Sequence, residues 1–161
     1  LRQLKITIAC VGKIKEKYFT AAIDEYSKRL SRFAKLNIIE VADEKIPDNA
    51  SEKEMEQIKE KEGNKILAKL PQNSFVVTLC IEGKEHSSEE LAKKIADISM
   101  TSSHITFIIG GSLGLSDTVK SKSALRLSFG KMTLPHQLMR VVLLEQIYRA
   151  FKINNNESYH K

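Results

Sequence analysis

Three short segments carry residue types and spacings suited to holding a ligand, and each follows an apolar, β-rich run. Leu79-Cys80-Ile81-Glu82-Gly83 closes FVVTLCI, Gly110-Gly111-Ser112-Leu113-Gly114 follows HITFII, and Ser128 to His136 (SFGKMTLPH) follows ALRLSF. Their glycines tolerate positive φ and let backbone amides approach a ligand closely. The Gly-Gly-x-x-Gly segment is not the GxGxxG of dinucleotide sites: it comes after the fourth strand, and no acidic residue follows at ribose distance. It is not a P-loop either, because no Gly-Lys-Ser/Thr follows. Gly130 to Pro135 is small, apolar and poor in charge, which suits an adenine ring and an apolar sulfonium side chain better than a triphosphate. None of the loops offers paired carboxylates for Mg²⁺. The four histidines, His86, His104, His136 and His160, lack metal-ligand spacing, and no Ser-His-Asp or Cys-His order stands out. Phosphoryl transfer and hydrolysis are therefore disfavoured, and no metal is expected.

The elements that must position these loops follow from periodicity. Residues 4–11, 36–41, 75–81, 104–109 and 124–129 read as strands. Tyr18, Ala22, Tyr26, Leu30 and Phe33 recur at helical spacing over 16–33. Ser51 and Glu54 form a capping box that opens a helix running towards Leu70, where Pro71 stops it. Ser87 or Ser88 opens a helix with Leu91, Ile95 and Ile98 on one face; a short helix fits 116–122, and Pro135 begins a long one through about Ile153. Strands alternating with helices predict an α/β fold with a mainly parallel sheet flanked by helices on both faces. Open parallel sheets take ligands beyond the carboxyl ends of their strands, where all three loops fall. The last helix is apolar around most of its circumference, from Leu138 to Phe151, and so needs cover on two sides. The sheet supplies one, and a second subunit packed around a twofold axis is the expected other.

The chain has 161 residues, 42% hydrophobic and 29% charged, enough for one domain with a real core. Cys10 and Cys80 lie in apolar runs and read as buried thiols of a cytoplasmic protein. No apolar stretch approaches the roughly 20 residues of a membrane span, and the N-terminal residues lack a signal-peptide pattern. The net charge of +6 is uneven: residues 1–36 carry nine basic and three acidic side chains, residues 37–62 four and nine, and residues 101–161 eight and three. A polyanion would meet the two basic ends.

A strand ending in IGG, then SLGL, then LSFGKMTLPHQLMRVVLLEQIYRA and a terminal SYHK resembles the ribosomal large-subunit methyltransferase H family, a small bacterial family of the SPOUT, or trefoil-knot, class. The opening KITIACVGKIKEKYF and the central EKEG (60–63) extend the resemblance over essentially the whole chain. It implies one SPOUT-like domain over 1–161, with a C-terminal α/β knot forming a cleft for S-adenosylmethionine within roughly 75–153. It further implies a homodimer and methylation of N3 of a pseudouridine in 23S rRNA, on the ribosome or its large subunit. Carried over by position, the cofactor contacts fall on Leu79, Gly111, Gly130, Lys131, Met132, Thr133, Leu134 and Pro135.

Methyl transfer from a sulfonium is an in-line displacement that needs no metal, and the weakly acidic imide N3–H must lose its proton before or during attack. His160 is the first candidate for the base, with Tyr159 stacking on or bonding to a flipped nucleotide. Arg140 could reach an RNA phosphate or the cofactor carboxylate, and His136, at a helix start, reads as structural or as a neighbour of the cofactor. Lys13, Lys15, Lys17, Arg29 and Arg32 are the expected phosphate contacts. A non-enzymatic RNA- or ribosome-binding protein, a doubly wound nucleotide enzyme and a methyltransferase acting on transfer RNA or protein are the alternatives.

Overall fold

Alternation along the strands decides the layering. In the computed structural model, which describes residues 3–161, β1 (Leu4–Val11) turns Ile6, Ile8 and Cys10 to one face and Ala9 and Val11 to the other. The first face packs against α1 (Lys17–Leu30), α3 (Ser88–Ser99) and α5 (His136–Asn154). The second packs against α2 (Glu52–Lys69) and α4 (Asp117–Ser121). With β2 (Ala34–Val41), β3 (Phe75–Glu85), β4 (His104–Ile109) and β5 (Leu125–Ser128), the sheet order is β2-β1-β4-β3-β5, and every neighbouring pair is parallel. A parallel sheet covered on both faces explains why FVVTLCI and HITFII are almost continuously apolar.

Local chemistry sets the helix starts. Ser51 accepts the Glu54 N–H while the Glu54 carboxylate takes the Ser51 N–H, and Ser87 and Glu90 do the same for α3. The first helix is shorter than its periodicity predicts. Phe33 falls beyond it, and Tyr18 is 66% exposed, so Ile23 and Leu30 are the buried residues of its stripe.

β3 runs four residues past its expected end, with a break in register: Leu79 pairs with Leu127, and so does Lys84. The intervening residues bulge out of the ladder. Gly83 makes this possible, because a Cβ there would lie 2.8 Å from the Arg126 carbonyl carbon and oxygen. The bulge carries Cys80 to Glu82 away from the sheet, towards the ligand-bearing edge.

α5 lies on the sheet between α1 and α3. Of its apolar residues, Leu143, Leu144, Ile147 and Ala150 are buried within the chain, while Leu138, Met139, Val141, Val142, Tyr148 and Phe151 keep part of their surface exposed.

Gly63 shows how closely α2 and α4 approach: a Cβ there would meet Val119 Cγ2 at 2.7 Å and Ser116 Oγ at 2.8 Å. Alanine would gain about 1 kcal/mol of helix propensity, but overpacking costs about 1–3 kcal/mol. Ser116 also caps α4. Gly63→Ala is expected to lower stability by about 1–2 kcal/mol in urea unfolding, and an unchanged midpoint would mean that α4 moves freely.

Candidate active site

A cavity of about 700 Å³ opens at the carboxyl ends of β3, β4 and β5. Its wall takes Leu79 to Glu82 from the β3 bulge, Gly110 to Leu115 from the turn after β4, and Gly130, Met132, Thr133, Leu134 and Pro135 from the segment entering α5; His136 and Met139 of α5 complete it. Seven of the eight positions expected to hold a cofactor therefore meet around one space. Lys131, the eighth, is exposed and lies outside the wall.

The glycines shape this wall by close approach. A Cβ on Gly110 would sit 2.7 Å from the Gly114 carbonyl carbon, and Gly114, at φ +85°, donates its N–H to the Gly111 carbonyl at 3.0 Å. Gly130 has φ +121°, and its N–H is held by Ser128 Oγ, which itself donates to the Ile81 carbonyl at 2.8 Å. One hydroxyl thus ties the β3 bulge to the loop after β5.

Charge on the wall is already spent. Lys120 pairs with Glu82, and the hydrogen bond from Lys120 is the main reason the Glu82 carboxyl titrates below the usual carboxylate range. Lys59 pairs with Glu56 at 2.6 Å. Burial pushes the Cys80 thiol up, so it remains protonated. What is left is an apolar slot edged by backbone amides and carbonyls, chemistry suited to a flat heteroaromatic ligand.

Behind the wall lies a carboxyl group absent from the candidates drawn from sequence chemistry. Glu62, only 4% exposed, stands under Gly111, where a Cβ would come within 3.3 Å of its Oε1. Its Oε2 accepts the Glu44 N–H at 2.9 Å, while Oε1 has no partner. Burial raises its pKa, opposed by that hydrogen bond. The sequence signal was an acid and a glycine, Glu62-Gly63, interrupting the inward face of α2.

Arg140 does not reach the cavity. It is 2% exposed, pairs with Glu40 at 2.5 Å and donates to the Gly12 carbonyl at 2.6 Å. The expected contact with phosphate or cofactor is corrected: this guanidinium positions the β1–α1 loop against α5. Truncating Glu40 would leave the guanidinium buried without its ion-pair partner, a loss of about 3–5 kcal/mol. One turn earlier, His136 fits its ring against Gly12, whose Cβ would lie 3.1 Å from Cε1. Burial, and then the charge of Arg140, lower its pKa and favour the neutral imidazole; Nδ1 is buried without a partner.

The terminal pair is placed elsewhere. Arg149 donates to His160 Nδ1 at 3.1 Å, so Nε2 carries the proton and gives it to Glu89 at 2.5 Å. Tyr159 donates to Glu145 at 2.8 Å and packs edge-on against Tyr148; burial, then Glu145, push the phenol up to about 12. Neither residue lines the cavity of its own chain. The tail folds back because charges on α5 and α3, far from the tail in sequence, offer it partners.

Among solved structures, a probable methylase family protein from Haemophilus influenzae Rd KW20 aligns at TM-score 0.53 with 13% identity, over 98% of this chain and 70% of that one. The tRNA (m1G37) methyltransferase from Aquifex aeolicus aligns at TM-score 0.54 with 14% identity, over 92% and 70%. Such likeness shows a shared fold. A family model described as a predicted SPOUT methyltransferase matches residues 4–160. The chain is 62% identical to ribosomal RNA large subunit methyltransferase H of Clostridium novyi (strain NT) over 98% of its length and all of the relative's. It is 60% identical to the protein of that name from Clostridioides difficile (strain 630) over the same shares. The chain belongs to the ribosomal RNA large subunit methyltransferase H family of SPOUT methyltransferases.

Glu62 yields a signed expectation. A carboxyl whose pKa is raised by folding stabilises the fold below its unfolded value and loses that contribution as pH rises through the folded one. Glu62→Gln, which keeps an acceptor for Glu44, should raise the Tm relative to wild type at pH 8, with the difference vanishing below about pH 4.5. Equal melting curves at both pH values would show that the group ionises without cost.

Proposed function

We propose that this chain is an S-adenosylmethionine-dependent methyltransferase that methylates N3 of a pseudouridine in 23S rRNA, acting on the ribosome or its large subunit. The observation that carries the reading is the cavity itself: glycine-edged, apolar and walled by Leu79, Gly111, Gly130 and Met132 to Pro135. The donor set fits this cofactor. Gly110, Gly111 and Gly130 present backbone without side chains to the space, and Leu79, Met132 and Leu134 offer apolar surface to a ring and a thioether-like chain. When bound, S-adenosylmethionine supplies an electrophilic methyl group on a sulfonium. The relatives' printed name, ribosomal RNA large subunit methyltransferase H, supports the substrate class.

The chain's own contribution is orientation and a controlled charge balance. Tight turns fix the wall, so the acceptor nitrogen is held in line instead of searching for the methyl. His136 faces this space as a neutral ring. The neutral imidazole can take up the imide proton as the nitrogen is methylated, and until then it places no positive charge beside the sulfonium. A trefoil knot formed by the segments around the cavity belongs to the proposal, and the Ser128–Ile81 hydrogen bond ties two of those segments together. So does a homodimer at this end of α5, favoured by Ile81, Phe129, Met132 and Leu134, which are 37–85% exposed at the cavity mouth.

Calorimetric titration should show binding of S-adenosylmethionine and S-adenosylhomocysteine but not ATP. Binding should be lost in Gly111→Trp and in Leu134→Arg, a rim substitution that the fold tolerates. No binding by folded wild type would favour a non-enzymatic ribosome-binding protein. His136→Ala should lower labelled methyl transfer to ribosomes about 100-fold while donor affinity stays near wild type; full activity in this variant would remove the imidazole from the reaction.

A further inference from the structure

Beside the cavity lies a basic, aromatic lip that the methyl-donor site does not use. Lys13 and Lys15 on the β1–α1 loop and Lys17, the first residue of α1, are all exposed, and none has an ion-pair partner among the described residues. Tyr18 follows them, 66% exposed and backed by Phe19 at 4.6 Å. The other expected phosphate contacts are already engaged: Arg29 pairs with Glu25 at 2.8 Å, and Arg32 pairs with Glu157 at 2.7 Å.

The loop's side chains are free, but its backbone is not. Gly12 N–H donates to the Val41 carbonyl at 2.7 Å, the Gly12 carbonyl accepts from Arg140, Ile14 N–H reaches Glu40 at 3.3 Å, and Lys15 N–H reaches Gln137 at 3.1 Å. Two contacts bring it to the cavity wall. Gly12 abuts the His136 ring, and Val11 Cγ1 lies 3.1 Å from where Gly111 would carry a Cβ. Glu16 offsets one of the lysines, and Asp43, whose charge acts on His136, limits the surface on the far side. Rigid backbone, free cations and an exposed ring are the components of a surface that tracks a sugar-phosphate chain and stacks an unpaired base.

We propose that Lys13, Lys15, Lys17 and Tyr18 form the RNA-docking lip of this protein: the lysines contact consecutive phosphates of an unpaired strand, Tyr18 stacks on one of its bases, and the buried Arg140 guanidinium, paired with Glu40, fixes the lip relative to the cavity. The assignment deepens the rRNA methyltransferase reading and rests on it for the identity of the RNA.

The test is co-sedimentation with ribosomes and, separately, binding to protein-free 23S rRNA across a series of KCl concentrations. The triple variant Lys13→Gln/Lys15→Gln/Lys17→Gln should flatten the slope of log Kobs against log salt by about 2–3, since each phosphate contact contributes about 0.7–0.9. Tyr18→Ala should weaken binding roughly 5- to 150-fold, the range of one base–aromatic stack, with Tyr18→Phe restoring it. Lys93→Gln on α3, whose partner is Asp97, should change nothing. Calorimetry with S-adenosylmethionine on the same variants should match wild type, so loss of docking and failure of the methyltransferase reading are separable. An unchanged slope in the triple variant overturns the proposal. So does an effect seen with ribosomes but not with free rRNA, which would assign the lip to an acidic protein surface.

Discussion

An ion pair built on one buried guanidinium organises the ligand-bearing edge of this protein. Arg140 enters from α5, meets Glu40 of β2 and takes the carbonyl at the end of β1, so three elements far apart in sequence converge on one guanidinium. An ion pair at 2% and 35% side-chain exposure returns little net stability after desolvation. Its effect is geometric: once the charge is buried, every arrangement that leaves it unpaired is expensive. The β1–α1 loop, the start of α5 and the His136 ring are held in register by that cost.

The same economy of charge runs through the cavity. Lys120 neutralises Glu82, Glu56 occupies Lys59, and burial keeps Cys80 protonated. Methyl transfer gains from such a wall, because stray carboxylates or ammonium groups would compete with the reacting charges. Tight backbone turns take the place of charged clamps. Gly110, Gly114 and Gly83 sit where a Cβ is barred by neighbouring backbone or where φ is positive, so these turns are rigid because their residues are small.

The outward-facing chemistry is divided from this inner site. Exposed Lys13, Lys15, Lys17 and Tyr18 cluster between the end of β1 and the first turn of α1, whereas α2, with five acidic and five basic side chains, covers one face of the sheet. His136 and Gly12, in contact, mark where the two regions join.

Much of this was legible in the chain itself. Strand and helix positions followed from apolar periodicity, from the capping box at Ser51 and from Ser87 or Ser88 before α3, because these signals are local and act within a few residues. The three loops also announced themselves, since parallel strands of one sheet end on the same side and their glycines lie at those ends. Tertiary structure decided how far β3 extends, because its bulge depends on Arg126 and Leu127 lying across Gly83. It decided that Arg140 is buried against Glu40, a partner one hundred positions away, and that Glu62 stands beneath Gly111. It also decided that Tyr159 and His160 fold onto Glu145, Arg149 and Glu89, away from the cavity. In each case residue type showed that a group needed a partner, but only the packed chain, by bringing distant charges within a few ångströms, determined which one.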